Sequence, residues 1–186
     1  MRPAVFLDRD GVINENRSDY IRSWDQIVFL DGVFAALRRL TGHEIPVIVV
    51  TNQSAVGRGL LEEGVAHDIN LRLAEAVQMQ GGRITAMYLC PHHPDLACAC
   101  RKPAPGLLLQ AASEWDLDLS RSFLVGDAVS DLEAARAVSA QGILVRTGRG
   151  AAQAALLAQR NWTCPVMADL GAAVDLILAT SAGGVI

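Results

Sequence analysis

The sequence predicts an α/β fold, a Rossmann-like three-layer sandwich built on a mostly parallel sheet, and three observations carry that prediction. Short apolar runs without helical spacing alternate along the chain with segments of helical spacing, as strand–helix–strand units require. Several of these runs stop at polar residues, Asp8, Thr51 and Asp127, and open α/β sheets carry their chemistry outside the carboxyl ends of strands. Finally, 186 residues at 51% hydrophobic content fill one core and fall short of two.

The elements follow in order. Residues 3–7, Pro-Ala-Val-Phe-Leu, form an apolar run suited to a strand buried on both faces. Residues 32–40 place Val33, Leu37 and Leu40 on one helix face. Residues 46–51 read as a second strand, residues 62–80 as a long helix, and residues 85–90 as a strand ending in Cys90. Pro103 and Pro105 hold the loop before a helix at residues 106–115. A strand at 122–127 then leads into a helix at 130–138, with Ala134, Ala137 and Val138 on its packing face. Strand 142–146, helix 151–159, a weaker strand at 163–168 and helix 170–180 complete the alternation. Residues 1–180 therefore read as a single domain, and residues 181–186, rich in Gly and small residues, as a flexible tail. No long insertion separates the first motif from Thr51, so no large cap domain is expected and loops alone would shield the site.

Composition narrows the function. Sixteen basic and 20 acidic side chains give a net charge of −4 with no Lys/Arg run, which argues against nucleic acid or an anionic membrane as partner. No apolar stretch is long enough to span a bilayer, and the first strand begins too early for a signal-peptide core, so the chain reads as a cytoplasmic protein and, by default, a monomer. Three of the four cysteines crowd into residues 90–100. That spacing favours metal binding over disulfides, and Cys164, alone, reads as core filling.

The chemistry starts at Asp8-Arg9-Asp10-Gly11. Asp8, first off the strand, suits an oxygen nucleophile and metal ligand. Asp10, two residues on, suits proton transfer, and Gly11 permits a sharp turn close to an anion. The same four residues also begin a calcium loop, but Val12, Ile13 and Asn14 do not continue one. Thr51-Asn52-Gln53-Ser54 offers hydroxyls, amides and backbone N–H groups to phosphate oxygens, Thr51 most directly; a helix cap or polar turn is the other reading. Arg101 and Lys102 are either surface charge or a pair in which Lys102 neutralises a transferring phosphoryl group while the Arg101 fork takes a second anion. Asp127 would complete a magnesium shell with Asp8 and a backbone carbonyl at Asp10. Asp131, near a helix start, would orient Lys102 or a metal water. Cys90, His92, Cys98 and Cys100 would make a Cys₃His zinc site with no vacant position, hence a structural zinc that would present Arg101 and Lys102 rigidly; a chance cysteine-rich loop is the other reading, a catalytic zinc should keep a water position open, and His93 competes with His92 on chemistry alone.

Taken together, the order D-x-D, Thr, Lys, G-D-x3-D resembles the haloacid dehalogenase superfamily of phosphatases. The resemblance implies an aspartyl-phosphate on Asp8, Asp10 as general acid then base, Thr51 and Lys102 on the phosphoryl group, and Mg2+ held by Asp8, Asp10 and Asp127. The segment Cys90-Pro-His-His-Pro, then Cys98-Ala-Cys-Arg-Lys-Pro-Ala-Pro-Gly106, is similar to the zinc-containing D-glycero-D-manno-heptose 1,7-bisphosphate 7-phosphatases, as are Phe29-Leu-Asp-Gly-Val33, Gly57-Arg-Gly59 and Leu144-Val-Arg-Thr-Gly148. That likeness implies removal of the 7-phosphate from a small phosphorylated sugar during synthesis of a nucleotide-activated heptose for lipopolysaccharide. It also implies that Asn16, Arg17, Tyr20 and the Thr51-Asn52-Gln53-Ser54 segment contact sugar or phosphate, and that Arg101 recognises the distal phosphate.

Two departures qualify it. Only five residues separate His92 from Cys98, which is closer to the related histidinol-phosphate phosphatases, and Ala128 stands where relatives often carry a basic residue. Histidinol-phosphate phosphatase is therefore the alternative within the class, and a catalytically idle, zinc-stabilised binding protein the alternative outside it. No nucleotide-binding G-x-x-x-x-G-K-[ST] loop supports a kinase.

Overall fold

The computed structural model describes residues 1–160 and 162–180; the tail expected at 181–186 lies outside the described residues. Among them are six strands, β1 (Val5–Leu7), β2 (Val47–Asn52), β3 (Ala86–Cys90), β4 (Phe123–Gly126), β5 (Gln141–Val145) and β6 (Val166–Met167). Seven α-helices alternate with them: α1 (Val33–Gly42), α2 (Ser54–Gly57), α3 (Glu63–Met79), α4 (Gly106–Trp115), α5 (Val129–Ala137), α6 (Gly150–Gln159) and α7 (Leu170–Thr180).

The strands form one sheet in the order β3-β2-β1-β4-β5-β6, every pairing parallel. β1 is central, with Leu7 in register with Val49 of β2 and Val125 of β4. Chain direction across the sheet reverses between β1 and β4. A crevice opens at the carboxyl ends of such neighbours, and Asp8 and Asp127, the first residues past β1 and β4, stand on its two sides.

Strand alternation divides the core in two. Val5, Leu7, Val47, Val49 and Val125 face Leu37 and Leu40 of α1, Leu73 and Val77 of α3 and Val174 and Ile177 of α7. Phe6, Ile48, Val50 and Leu124 face the other layer, Leu107, Leu108 and Ala111 of α4 and Ala134 and Ala135 of α5. With each large side chain so buried contributing about 1.5–3 kcal/mol, the two layers hold the strand ends rigid. The expected α1 face is present, since Val33, Leu37 and Leu40 are all buried.

The α5 face differs from expectation. Its buried residues include Leu132, Ala134 and Ala135, whereas Ala137 is exposed, because the helix ends there and Ser139, at φ +61°, turns the chain back toward β5. Helix α2 and two 3₁₀ turns, Trp24–Gln26 and Leu119–Arg121, are too short to show a period and have no counterpart in the sequence reading. The weak strand at 163–168 shortens to the two residues of β6, and Cys164 is half-buried beside a small cluster of Val129, Leu132, Leu144 and Leu157.

Candidate active site

The carboxyl ends of β1 and β2 and the loop after β3 deliver polar groups into one cleft of about 680 Å³. Asp8, Asp10, Thr51, Asn52, Gln53, Ser54, Arg101 and Lys102 all line it, as do Asn16, Arg17 and Tyr20 from the loop after β1. Asp8 leaves β1 with its N–H bonded to the Val125 carbonyl of β4 at 2.9 Å, so the sheet ladder itself aims it. Asp127 is fully buried.

Lys102 is the electrostatic hub. Its ammonium lies 3.1 Å from Asp8 Oδ1 and 2.6 Å from Asp131 Oδ1, and it donates to the Val50 carbonyl at 2.7 Å, with the side chain 2% exposed. Burial alone would lower the Lys102 pKa, but Asp131 and Asp8 outweigh it and hold the pKa above its usual value. Asp131 is thus paired with Lys102, the contact that one of its two expected roles requires. It also caps α5, its Oδ2 accepting the Ala128 N–H at 3.1 Å. Asp8 is pushed up to about 7, by burial first, against the pull of Lys102 and with the charges of Asp131, Asp127 and Asp10 adding to the rise.

Asp10 sits in a different environment. Arg9 grips it with Nε at 3.1 Å and Nη2 at 2.9 Å, while Asn14 Nδ2 (2.8 Å) and Gln53 Nε2 (2.9 Å) also donate to its carboxylate. Burial pushes its pKa up, yet the Arg9 charge and these hydrogen bonds prevail and hold it below the usual carboxylate range. Arg9 is 1% exposed and also donates to Asn70 Oδ1 at 2.9 Å, so it works from inside the protein. In the sequence Arg9 reads as a spacer between two acids; no periodicity or motif letter marks it.

The remaining groups tie the cleft together. Gln53 Nε2 also donates to Thr51 Oγ1 at 2.9 Å, linking the threonine to Asp10. Asn52 donates to the Lys102 carbonyl at 3.0 Å and accepts the Lys102 N–H at 3.1 Å, which fastens the loop after β2 to the loop carrying the lysine. Arg17 is exposed, and its guanidinium is paired with Asp19 at 2.9 Å. Arg149 is a cleft residue the sequence reading missed: it lies one position past the Leu144-Val-Arg-Thr-Gly148 segment and grips Asp127.

Carboxylate oxygens of Asp8, Asp127 and Asp131 lie within 4.8 Å of one another, a hard-oxygen set suited to a divalent cation such as magnesium. The Asp10 side chain is outside that set, since its oxygens are taken by Arg9, Asn14 and Gln53; its backbone carbonyl is the part of Asp10 left for a metal. A second group is Cys90, His92, Cys98 and Cys100, again with ligand atoms within 4.8 Å. Cys90 Sγ and Cys100 Sγ each stand 3.6 Å from Cys98 Sγ, and His92 Nδ1 is 3.1 Å from Cys100 Sγ. A tetrahedron with metal–sulfur bonds of about 2.3 Å has sulfur–sulfur edges of about 3.8 Å, so the donors already have the size of a zinc site. His93 lies outside that group, and its Nδ1 accepts the Asp95 N–H at 3.2 Å. Burial pushes the Cys90 and Cys100 thiols up, Cys100 to about 12, while hydrogen bonds from Cys100 and Cys90 overcome burial at Cys98 and bring it to about 7.

Comparison with known proteins agrees with this geometry. The HAD-hydrolase-like family model matches residues 99–173. The chain is 44% identical over 149 residues to the D-glycero-beta-D-manno-heptose-1,7-bisphosphate 7-phosphatase of Pseudomonas aeruginosa, covering 80% of this chain and 84% of that protein. It is 37% identical over 180 residues to the enzyme of the same name from Yersinia pestis, covering 92% and 95%. Among solved structures, the D,D-heptose 1,7-bisphosphate phosphatase of B. bronchiseptica, complexed with magnesium and phosphate, superposes with a TM-score of 0.88 at 36% identity, covering 96% of this chain and 99% of that one.

Proposed function

The chain belongs to the D-glycero-β-D-manno-heptose-1,7-bisphosphate 7-phosphatases of the HAD-like hydrolases, and from that membership we propose that it removes the 7-phosphate of D-glycero-D-manno-heptose 1,7-bisphosphate through a phosphorylated Asp8. It is a phosphoric monoester hydrolase. The observation that carries the substrate is the pair of cations in the cleft: Lys102 spans Asp8 and Asp131, and Arg101 beside it has a buried Nη1 without a hydrogen-bond partner. A guanidinium nitrogen stripped of water is costly unless an anion meets it, and a bisphosphate supplies one at the far end of the sugar.

In this reading Asp8 attacks the 7-phosphorus. Oδ1 is committed to Lys102 Nζ and to the Arg9 N–H, at 2.7 Å, so attack falls to Oδ2. Lys102 and Thr51 hold the equatorial oxygens as charge spreads over them. Asp10 gives a proton to the departing sugar oxygen and then takes one from the water that cleaves the acyl phosphate. The Arg9 grip favours the ionised, proton-accepting form, so the acid half of the cycle requires that grip to loosen as substrate enters. Asp8, Asp127 and the Asp10 backbone carbonyl would hold magnesium, which supplies charge neutralisation between nucleophile and phosphate. Cys90, His92, Cys98 and Cys100 would hold a structural zinc that fixes the loop before Arg101 and Lys102.

The same reading makes the protein a cytoplasmic monomer acting on a small phosphorylated sugar, in synthesis of a nucleotide-activated heptose, with no nucleic-acid or membrane partner; no helix among the described residues is long and apolar enough to cross a membrane. Side-by-side turnover of heptose 1,7-bisphosphate and histidinol phosphate tests it. Preferential hydrolysis of the bisphosphate at its 7-position is expected, and rapid turnover of histidinol phosphate alone would overturn the choice of substrate.

A further inference from the structure

Asp127 carries an unusual load for a metal ligand. Arg149 brings three donors to it: the backbone N–H to Oδ2 at 2.8 Å, Nε to Oδ2 at 3.3 Å and Nη2 to Oδ1 at 3.0 Å. The walls around the carboxylate are bare backbone. A Cβ on Gly11 or on Gly148, both at positive φ, would stand 2.2 or 2.4 Å from Oδ2. Asp127 is thus closed off on those sides, and the guanidinium covers oxygens that a cation shared with Asp8 would need. The two partners differ in freedom: the Asp127 side chain is 0% exposed and fixed, whereas that of Arg149 is 56% exposed and reaches out into the cleft that Arg101 and Lys102 line.

A divalent cation on Asp127 and a guanidinium about 3 Å from the same carboxylate repel each other, and the exposed partner is the one able to move. The backbone N–H of Arg149 need not follow, so Asp127 keeps one anchor while its side-chain partner leaves. We propose that Arg149 stands in for the metal on Asp127 in the metal-free enzyme and, once displaced by the divalent cation, becomes a third cation of the substrate cleft beside Arg101 and Lys102. Removing the side chain then has opposite effects on two ligands: the metal loses a competitor, and a bound phosphate loses a partner. The proposal rests on the magnesium role given to Asp127 above, and that role is tested separately in the same experiment.

The experiment titrates Mn2+ into zinc-replete, magnesium-free protein, following free Mn2+ by electron paramagnetic resonance, and then titrates inorganic phosphate into the metal-loaded protein. Because one charge-assisted contact is removed from a half-exposed site, Arg149→Met is expected to bind Mn2+ about tenfold more tightly than wild type and phosphate about tenfold more weakly. Arg149→Lys keeps the charge but not the two-point grip; it is expected to bind Mn2+ more tightly than wild type while retaining most of the phosphate affinity. Unchanged or weaker Mn2+ binding by Arg149→Met overturns the stand-in role, and unchanged phosphate binding overturns the second role. Asp127→Asn separates the premise from the inference. If it leaves Mn2+ affinity intact, the magnesium role of Asp127 fails and the inference with it; if it abolishes Mn2+ binding while Arg149→Met brings no gain, the inference alone fails.

Discussion

Replacing Asp8 by Asn is expected to stabilise the magnesium-free protein above pH 7 even though it removes the nucleophile. Asp8 is buried, and its pKa stands at about 7 instead of 3.8, raised first by burial, pulled down by Lys102 and raised again by Asp131, Asp127 and Asp10. A folded-state pKa above the unfolded one means that the native protein binds more protons between about pH 4 and pH 7. The stability contributed by protonated Asp8 is therefore complete below about pH 4 and lost as pH rises through 7. The whole shift corresponds to about 4 kcal/mol, an upper bound because the carboxylate is coupled to Lys102. Asn retains an Oδ1 acceptor for the Arg9 N–H but carries no charge, and Lys102 still has Asp131 at 2.6 Å. Asp10 shifts the opposite way, but it is common to both proteins and cancels in the difference. Urea unfolding at pH 5.5 and pH 8, in zinc-containing buffer without magnesium, measures the effect. The variant should gain roughly 1–3 kcal/mol on wild type at pH 8 and show a flatter pH dependence. Parallel pH profiles, or a variant less stable than wild type at pH 8, would refute the reasoning.

Other expectations follow from single contacts. Gly11→Ala places a Cβ 2.2 Å from Asp127 Oδ2 at φ +88°, so Asp127 must shift; kcat should fall by about 100-fold, and near-normal turnover would show that the carboxylate tolerates displacement. Asn52→Ala removes both bonds to the Lys102 backbone and should cost about 1–2 kcal/mol, seen as a roughly tenfold loss in kcat/KM. Elemental analysis of purified protein should find about one zinc per chain, falling with Cys98→Ser, whereas wild-type protein without zinc would reject the proposed ligands.

Much of this was legible because strand ends write chemistry in short, local code. Asp8 after β1 and Asp127 after β4 follow unbroken apolar runs, and the parallel sheet brings those two ends together as its switch point requires. The cluster of Cys90, His92, Cys98 and Cys100 was legible for a similar reason, lying within eleven consecutive residues, although only the structure separates His92 from His93. What the sequence hid are the contacts made across long separations. Arg9 points to Asn70, 61 residues away, and Arg149 to Asp127, 22 residues away, and neither pairing leaves a periodic trace. The contacts that hold the Asp10 side chain were hidden in the same way, because Gln53, 43 residues on, turns it from the other carboxylates together with Arg9. The exposed Ala137 shows the limit of periodicity at a helix end, where the chain departs before the face is complete.

The central claim is that phosphate passes through Asp8. Acid-quenching the enzyme within milliseconds of mixing with substrate labelled in its 7-phosphate, then digesting and mapping the label, tests it most directly. Label on the peptide that carries Asp8, absent in Asp8→Asn, is the expected result. Full turnover by wild type with no protein-bound label at any quench time, or label on a different residue, would contradict it.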